Sequence, residues 1–233
     1  MSNFVFAVDL GQVNDYTALC VVERVPPPAY PPGTQPMMTR DLGGGLTRTQ
    51  PAPDTRKPDY HIRHLERVRL STPYHAVVAR VKELLGASPL LRDASLVIDQ
   101  TGVGRGVYEQ FGQAGLAPWG ITITGGNEMR REGRSLHVPK NDLVAALLTI
   151  YQQERLQIAE GLADVPALIH ELVNFRPKVN IATGHESFEA WRESDHDDLV
   201  LSVAMGVWFL ENQPARPFEP FAGPPRPPIV FRQ

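Results

Sequence analysis

FVFAVDLGQVNDYTA, residues 4–18, is the stretch whose reading decides the fold. Phe4–Val8 is an unbroken apolar run without helical spacing, the pattern of a strand buried on both faces. Asp9 stands where that run stops. Gly11 and the polar Gln12–Asp15 make a turn, and Leu19–Val25 resumes as a second strand, so the stretch reads as a hairpin. A carboxylate at the end of a central strand is costly to bury alone; it needs a metal, a base or hydrogen-bond donors. Two readings of Asp9 stand side by side: that need, or a side chain that caps its own turn.

Two later stretches bear on the choice. Ser95–Asp99, SLVID, is again a short apolar run ending in Asp, followed by TGVGRGVYEQF. Near the end of the chain Asp195, His196, Asp197 and Asp198 crowd the start of a helical pattern through Leu199, Val203, Val207 and Leu210. If the two strand ends and the helix start converge, three carboxylates share one crevice, and like charges that close require cations. An all-oxygen ligand set suits Mg²⁺ or Mn²⁺ rather than zinc.

A length of 233 residues supports one good-sized core, and 42% hydrophobic with 21% charged residues is the balance of an ordinary globular protein. The formal net charge of −3 excludes a wholly basic nucleic-acid coat but leaves room for a local basic patch. Cys20 is the sole cysteine, which excludes an intramolecular disulfide and a cysteine-built metal site. No stretch has the pattern of a signal peptide or a membrane span, so a cytoplasmic chain is expected.

Residues 26–58 hold nine of the 22 prolines plus Gly43–Gly45 and no periodic apolar residues, which predicts an extended loop inserted into the early sheet. Tyr60–Leu70 reads as a third strand with Arg63, Arg67 and Arg69 on one side. Thr72 and Pro73 start a helix striped by Val77, Val78, Val81, Leu84 and Leu85. A helix from about Arg105 to Ala114 follows the Asp99 strand, then a β-rich run at Trp119–Thr124. Gly125–Leu136 is polar, and Pro139 opens a helix with Leu143, Leu147 and Ile150 on one face. Leu156–Ala159 has the pattern of a short strand. Asp164 caps a helix through Leu168, Leu172 and Val173, and Val179–Ala182 with Phe188–Trp191 suggest a second hairpin. Residues 212–233 form a proline-rich tail. The first three strands are joined directly, whereas the Asp99 strand is reached through a helix, as a parallel crossover requires. The expected class is α/β: a mixed sheet flanked by helices, with Asp9 and Asp99 at the carboxyl ends of its strands, where such sheets bind ligands. That is the ribonuclease H-like arrangement.

VDLGQVNDYTA, VIDQTGVGRGVYEQF, VPKNDLVAALL and GHESFEAWRESDHDDLVLSVAMGVW together resemble the C-terminal nuclease domain of phage terminase large subunits. The resemblance covers roughly residues 3 to 211 outside the proline-rich insertion, so residues 1–211 are expected to form the nuclease domain. It implies a ribonuclease H-like fold and metal-dependent cleavage of double-stranded DNA during genome packaging, in the cytoplasm of a host cell. By position it implies that Asp9 and Asp99 are metal ligands, with the third carboxylate from His196-Asp197-Asp198. Asp198 is the more regular position of that pattern and ranks above Asp197; His196 would orient a ligand or sit in solvent. The implied chemistry is two-metal hydrolysis, with ions about 3.5–4 Å apart, Asp9 bridging both, and Asp99 and Asp198 (or Asp197) each holding one.

Arg130, Arg131, Arg134 and Lys140 fall within eleven residues, either as a solvated face or as a DNA-facing loop. Gly102–Gly106 fails as a dinucleotide fingerprint, because G-x-G-x-G is not G-x-G-x-x-G. It fits a backbone passing close to the metal site, with Arg105 beside a DNA phosphate. Asp15 and Asp195 fit turns and caps. The chain contains no P-loop, so the resemblance implies a packaging ATPase, a small terminase and a portal on separate chains. Three other readings stand beside it: a Holliday-junction resolvase or transposase on the same fold, an actin-like or sugar-kinase ATPase, and a packaging adaptor without catalysis.

Overall fold

The computed structural model describes residues 3–11, 15–102, 105–179, 186–190 and 197–213. The apolar run at the start of the chain forms β1 (Phe4–Asp9), buried at every residue. β2 (Thr17–Val25) folds back on it antiparallel, from Phe4 opposite Glu23 to Asp9 opposite Ala18. Gly11 in the connecting turn is obligatory: a Cβ there would lie 2.2 Å from the Asp15 carbonyl oxygen.

The expected loop at residues 26–58 is not irregular throughout. It carries a separate two-stranded hairpin, β3 (Met37–Gly43) with β4 (Leu46–Pro51), turned by three glycines with positive φ at Gly43, Gly44 and Gly45. Composition alone hid it, because its strands carry no apolar face. None of residues 26–58 is buried, and Leu42 and Leu46 are 59% and 67% exposed. Replacing residues 32–55 by a short Gly/Ser turn is therefore expected to shift Tm by no more than about 2 °C, since no core contact is lost. A calorimetric melt showing a drop well beyond that would mean that the hairpin packs on the domain.

β5 (Asp59–Val68) pairs antiparallel with β2 and closes the three-strand meander. α1 (Tyr74–Ala87) leads through a 3₁₀ turn at Pro89–Leu91 to β6 (Ser95–Asp99), which lies parallel to β1 with Val8 opposite Ile98. Thr72 does not cap α1; its hydroxyl donates to the Arg69 carbonyl at 2.6 Å, and Pro73 takes the cap position. α2 (Arg105–Gln113) then crosses to β7 (Trp119–Thr124), parallel to β6. The polar Gly125–Leu136 stretch, which showed no strand pattern, forms β8 (Arg130–Glu132) and the start of β9 (Ser135–Pro139). α3 (Lys140–Gln152), β10 (Leu156–Ile158) and α4 (Val165–Asn174) follow. The late hairpin pairs β11 (Phe175–Val179) with β12 (Glu186–Ala190), its first strand earlier than the sequence suggests. α5 (Asp198–Asn212) ends the described chain.

The eight-stranded sheet runs β10-β5-β2-β1-β6-β7-β9-β8. Strand alternation divides its side chains between two cores. Phe4, Phe6 and Val8 pack with α1 and α2 on one face; Val5, Ala7 and Val97 pack with α3, α4 and α5 on the other. α5 is apolar all round and buried from Asp198 to Leu210, as expected for a helix enclosed by a sheet and two other helices. Gly206 lets it lie close against the sheet, since a Cβ there would stand 2.8 Å from Val22 Cγ2 and 3.6 Å from Ala7 Cβ. Gly206→Val should thus overpack this contact and cost about 1–3 kcal/mol. That corresponds to roughly 2–4 °C of Tm per kcal/mol in a domain of this size, and an unchanged melt would show that the helix has room to shift.

One register detail departs from the sequence reading. β5 carries a bulge: Ile62 pairs with Val22 but His64 with Val21, so Arg63 is the extra residue. The bulge reverses the alternation, and Arg63 and Arg67 lie on opposite faces instead of one. Arg63 forms a buried pair with Glu23 at 2.7 Å. Arg67, opposite Ala18, joins Leu65 on the α4–α5 face.

Candidate active site

Alternation continued by one step places both strand-end carboxylates. Asp9 extends the Val5–Ala7 series and Asp99 follows Val97 by two, so both fall on the α5 face at the carboxyl ends of adjacent parallel strands. Both are buried, at 6% and 7% exposure, and lie close enough for the charge of one to raise the other. Asp99 Oδ1 also accepts from the Thr101 backbone N–H at 2.7 Å. The next residue secures the strand end: Gln100 Nε2 donates to Thr122 Oγ1 at 3.0 Å, and its side chain fills the space left by Gly120.

α5 starts on the same face. Asp198 is buried, accepts the Tyr16 backbone N–H, and lies close enough to Asp9 for their charges to interact. Asp197 occupies the cap position of α5 but makes no side-chain cap bond; its Oδ2 accepts from Lys140 Nζ at 3.0 Å. The first residue of α3 therefore brings a cation into the acidic site. Asp15 lies exposed in the β1–β2 turn.

Burial dominates the protonation of these groups. It pushes Asp9 well above the usual carboxylate range, reinforced by Asp99, Asp198 and Asp197 and opposed by Lys140. Asp99 is raised by burial against the Thr101 bonds that favour its charged form. Asp198 is pushed up to about 7 by burial and by Asp197, with Arg67 acting the other way. Three carboxyl groups from three elements, Asp9, Asp99 and Asp198, therefore resist ionising together, the condition that a divalent cation relieves.

The donor chemistry fits such an ion: every candidate ligand is a carboxylate oxygen. Among the described residues no three Asp, Glu, His or Cys side chains stand close enough together to form a finished cage. The arrangement is a buried Asp9–Asp99 pair with Asp198 and Asp197 in electrostatic reach.

The arginines named from the sequence do different things. Arg131 lies over the Trp119 ring at 4.8 Å and Arg134 at 4.7 Å. Arg134 also donates to the Pro118 carbonyl at 3.0 Å and to that of Ala117. Arg130 is exposed, 3.6 Å from Glu128. His196, Asp195 and the side chain of Arg105 fall outside the described residues. Two charged residues beside Asp198 were not read from the sequence as part of the site. Glu171 of α4 and Arg67 pair with each other beside Asp198. The available signal was a carboxylate three residues after Leu168, on the buried stripe of an amphipathic helix.

Neither family models nor curated protein sequences match the chain. Solved structures do. The large terminase nuclease from thermophilic phage G20c is similar at 19% identity over 87% of this chain and 80% of that one, with a TM-score of 0.52. The g2p (large terminase) nuclease domain from bacteriophage SPP1 with bound Mn is similar at 9% identity, covering 88% and 85%, with a TM-score of 0.47. The Mn-soaked human cytomegalovirus terminase nuclease domain is similar at 14% identity, covering 88% and 82%, also at 0.47. The mixed sheet, its helices on both faces and the likeness over 87% of this chain and 80% of the phage G20c structure give the chain the fold of that large terminase nuclease.

Proposed function

We propose that the chain is a metal-dependent endonuclease that cleaves double-stranded DNA in viral genome packaging. The observation that carries this reading is the meeting of Asp9 and Asp99 on adjacent parallel strands with the Asp198 end of α5 on the same face. Asp9, Asp99 and Asp198 are the residues that would hold the ions, with Asp197 as the alternative to Asp198. Two divalent ions bound there would supply a water nucleophile at neutral pH and charge stabilisation for the leaving oxygen.

The chain's own residues account for the rest. Burial of Asp9 and Asp99 keeps water from competing at the ligand oxygens, and the Thr101 amide holds Asp99 with one oxygen engaged. Asp9 and Asp99 would hold an ion in their ionised forms, which burial disfavours in its absence, and Asp198 would complete the set from the start of α5. Lys140 holds Asp197 and offers a positive charge to an incoming phosphate. Phosphate contacts position DNA without reading its sequence, so little sequence preference is expected. Arg130 remains an exposed phosphate partner; Arg131 and Arg134 are anchored to Trp119 and its neighbours. The packaging ATPase, small terminase and portal would be its partners in packaging. Among the described residues no helix is long and apolar enough to cross a membrane.

The test is incubation of the chain with supercoiled plasmid. Nicked and linear products are expected in Mg²⁺ or Mn²⁺ and none in EDTA. Full cleavage in EDTA, or none in either metal with linear duplex, overturns the reading; activity confined to four-way junctions would replace it with a resolvase.

A further inference from the structure

The start of α5 around Asp198 is met by residues from three other elements: Tyr16 of the β1–β2 turn, Arg67 of β5 and Glu171 of α4. A helix start leaves orphan N–H groups, usually met by the side chain at the cap. Here that side chain, Asp197, is turned to Lys140 instead. The Val200 N–H is served from another helix, by Glu171 Oε2 of α4 at 2.9 Å. Glu171 is 5% exposed, and its other oxygen takes the guanidinium of Arg67. The β5 bulge aims Arg67 at this face, and its own N–H donates to Asp164 Oδ2 at 2.9 Å. Its guanidinium lies over the Tyr16 ring at 4.8 Å, and the Tyr16 backbone N–H is the group that donates to Asp198. One chain of contacts thus runs from the β1–β2 turn through Arg67 and Glu171 to the first turn of α5, and closes on the Asp198 carboxylate.

Stability does not explain this pair. A buried ion pair is on average no more stabilising than apolar residues of the same volume, and α4 otherwise presents Leu168 to the core here. We propose that Arg67 and Glu171 are the positioning pair of the site: they fix the start of α5 so that Asp198 can share an ion with Asp9 and Asp99. The proposal rests on reading those three aspartates as ion ligands. Arg67 and Glu171 act through Val200, Tyr16 and Asp198 and do not touch the ion.

The test uses the full chain with Mn²⁺ as the probe, in parent, Glu171→Ala, Glu171→Gln and Arg67→Met. Mn²⁺ affinity is read by calorimetry and protection of the Val200 amide by hydrogen exchange. Glu171→Ala is expected to weaken Mn²⁺ binding about 10–100-fold, the usual loss when a ligand's support is removed, and to speed Val200 exchange at least about tenfold. Glu171→Gln keeps an acceptor for Val200 and should lose only about threefold in affinity. A folded Glu171→Ala with affinity within about twofold of the parent overturns the proposal. So does Glu171→Gln as weak as Glu171→Ala, because the charge would then act on the ion directly. Should Glu171→Ala fail to fold, Arg67→Met decides, with a tenfold loss of affinity supporting the proposal and an unchanged affinity overturning it. A parent that binds no Mn²⁺ sinks the ligand assignment itself. Val200 exchange then judges the pair alone, and unchanged protection in Glu171→Ala rejects it.

Discussion

Asp9→Asn is expected to lower plasmid nicking by at least about 10³-fold while leaving the fold intact. Transition-state charge stabilisation from bound ions amounts to several kcal/mol, and each 1.36 kcal/mol is a factor of ten in rate. Asp9 is the carboxylate whose charge interacts with Asp99, Asp198 and Asp197 alike, so losing its charge weakens every arrangement of ions among them. Asn has the same shape, and burial already disfavours the charged form of Asp9, so the metal-free variant should melt at or above the parent temperature. The measurement is a nicking time course in Mg²⁺ and Mn²⁺, with circular dichroism to confirm the fold. Cleavage within about tenfold of the parent would remove Asp9 from the ligand set.

Most of this architecture is legible in the sequence because the decisive signals are local and periodic. The Phe4–Val8 and Ser95–Asp99 runs are short and apolar on both sides of the pleat, which permits little but central strands. Each ends in the residue that the sheet cannot bury alone. Parity then does what an alignment would otherwise be needed for: Asp9 follows Ala7 and Asp99 follows Val97 by two, so the face of each follows from the core partners of its neighbours. The β5 bulge was not legible, since Tyr60–Leu70 alternates as well with the extra residue as without it. That single residue decides which face Arg67 serves. Glu171 was hidden for a related reason, because the partner that explains a carboxylate on an apolar stripe lies 104 residues away in sequence. The β3–β4 hairpin was missed because it buries nothing, and apolar periodicity reports burial rather than strand geometry. Arg131 and Arg134 stay together in space, but both lie over the Trp119 ring, which their spacing in sequence does not reveal.

The acidic site should also govern stability, and its sign follows from the direction of the shifts. Asp9 and Asp99 are raised, and Asp198 and Glu171 are each pushed up to about 7, in every case with burial as the main cause. In the unfolded chain such groups titrate near 4. Between about pH 4 and pH 7 the metal-free folded protein therefore holds more protons than the unfolded chain, so stability falls as pH rises through that window. Melting in EDTA should be lower at pH 8 than at pH 5. Mn²⁺ favours the ionised carboxylates and reverses the trend. An ion that binds only the folded state adds about 2.7 kcal/mol at a hundredfold excess over Kd, roughly 5–10 °C of Tm at pH 8 for a domain of this size. The gain should be smaller at pH 5, where protons compete for the same oxygens. Asp99→Asn removes one of the repelling charges and one ligand together. It should be more stable than the parent in EDTA at pH 8, and its Tm should respond less to Mn²⁺. Melts of both proteins across a Mn²⁺ titration at the two pH values decide the matter: identical metal responses would mean that Asp99 holds no ion, and a parent Tm in EDTA that rises from pH 5 to pH 8 would mean that these carboxylates are not held protonated by burial.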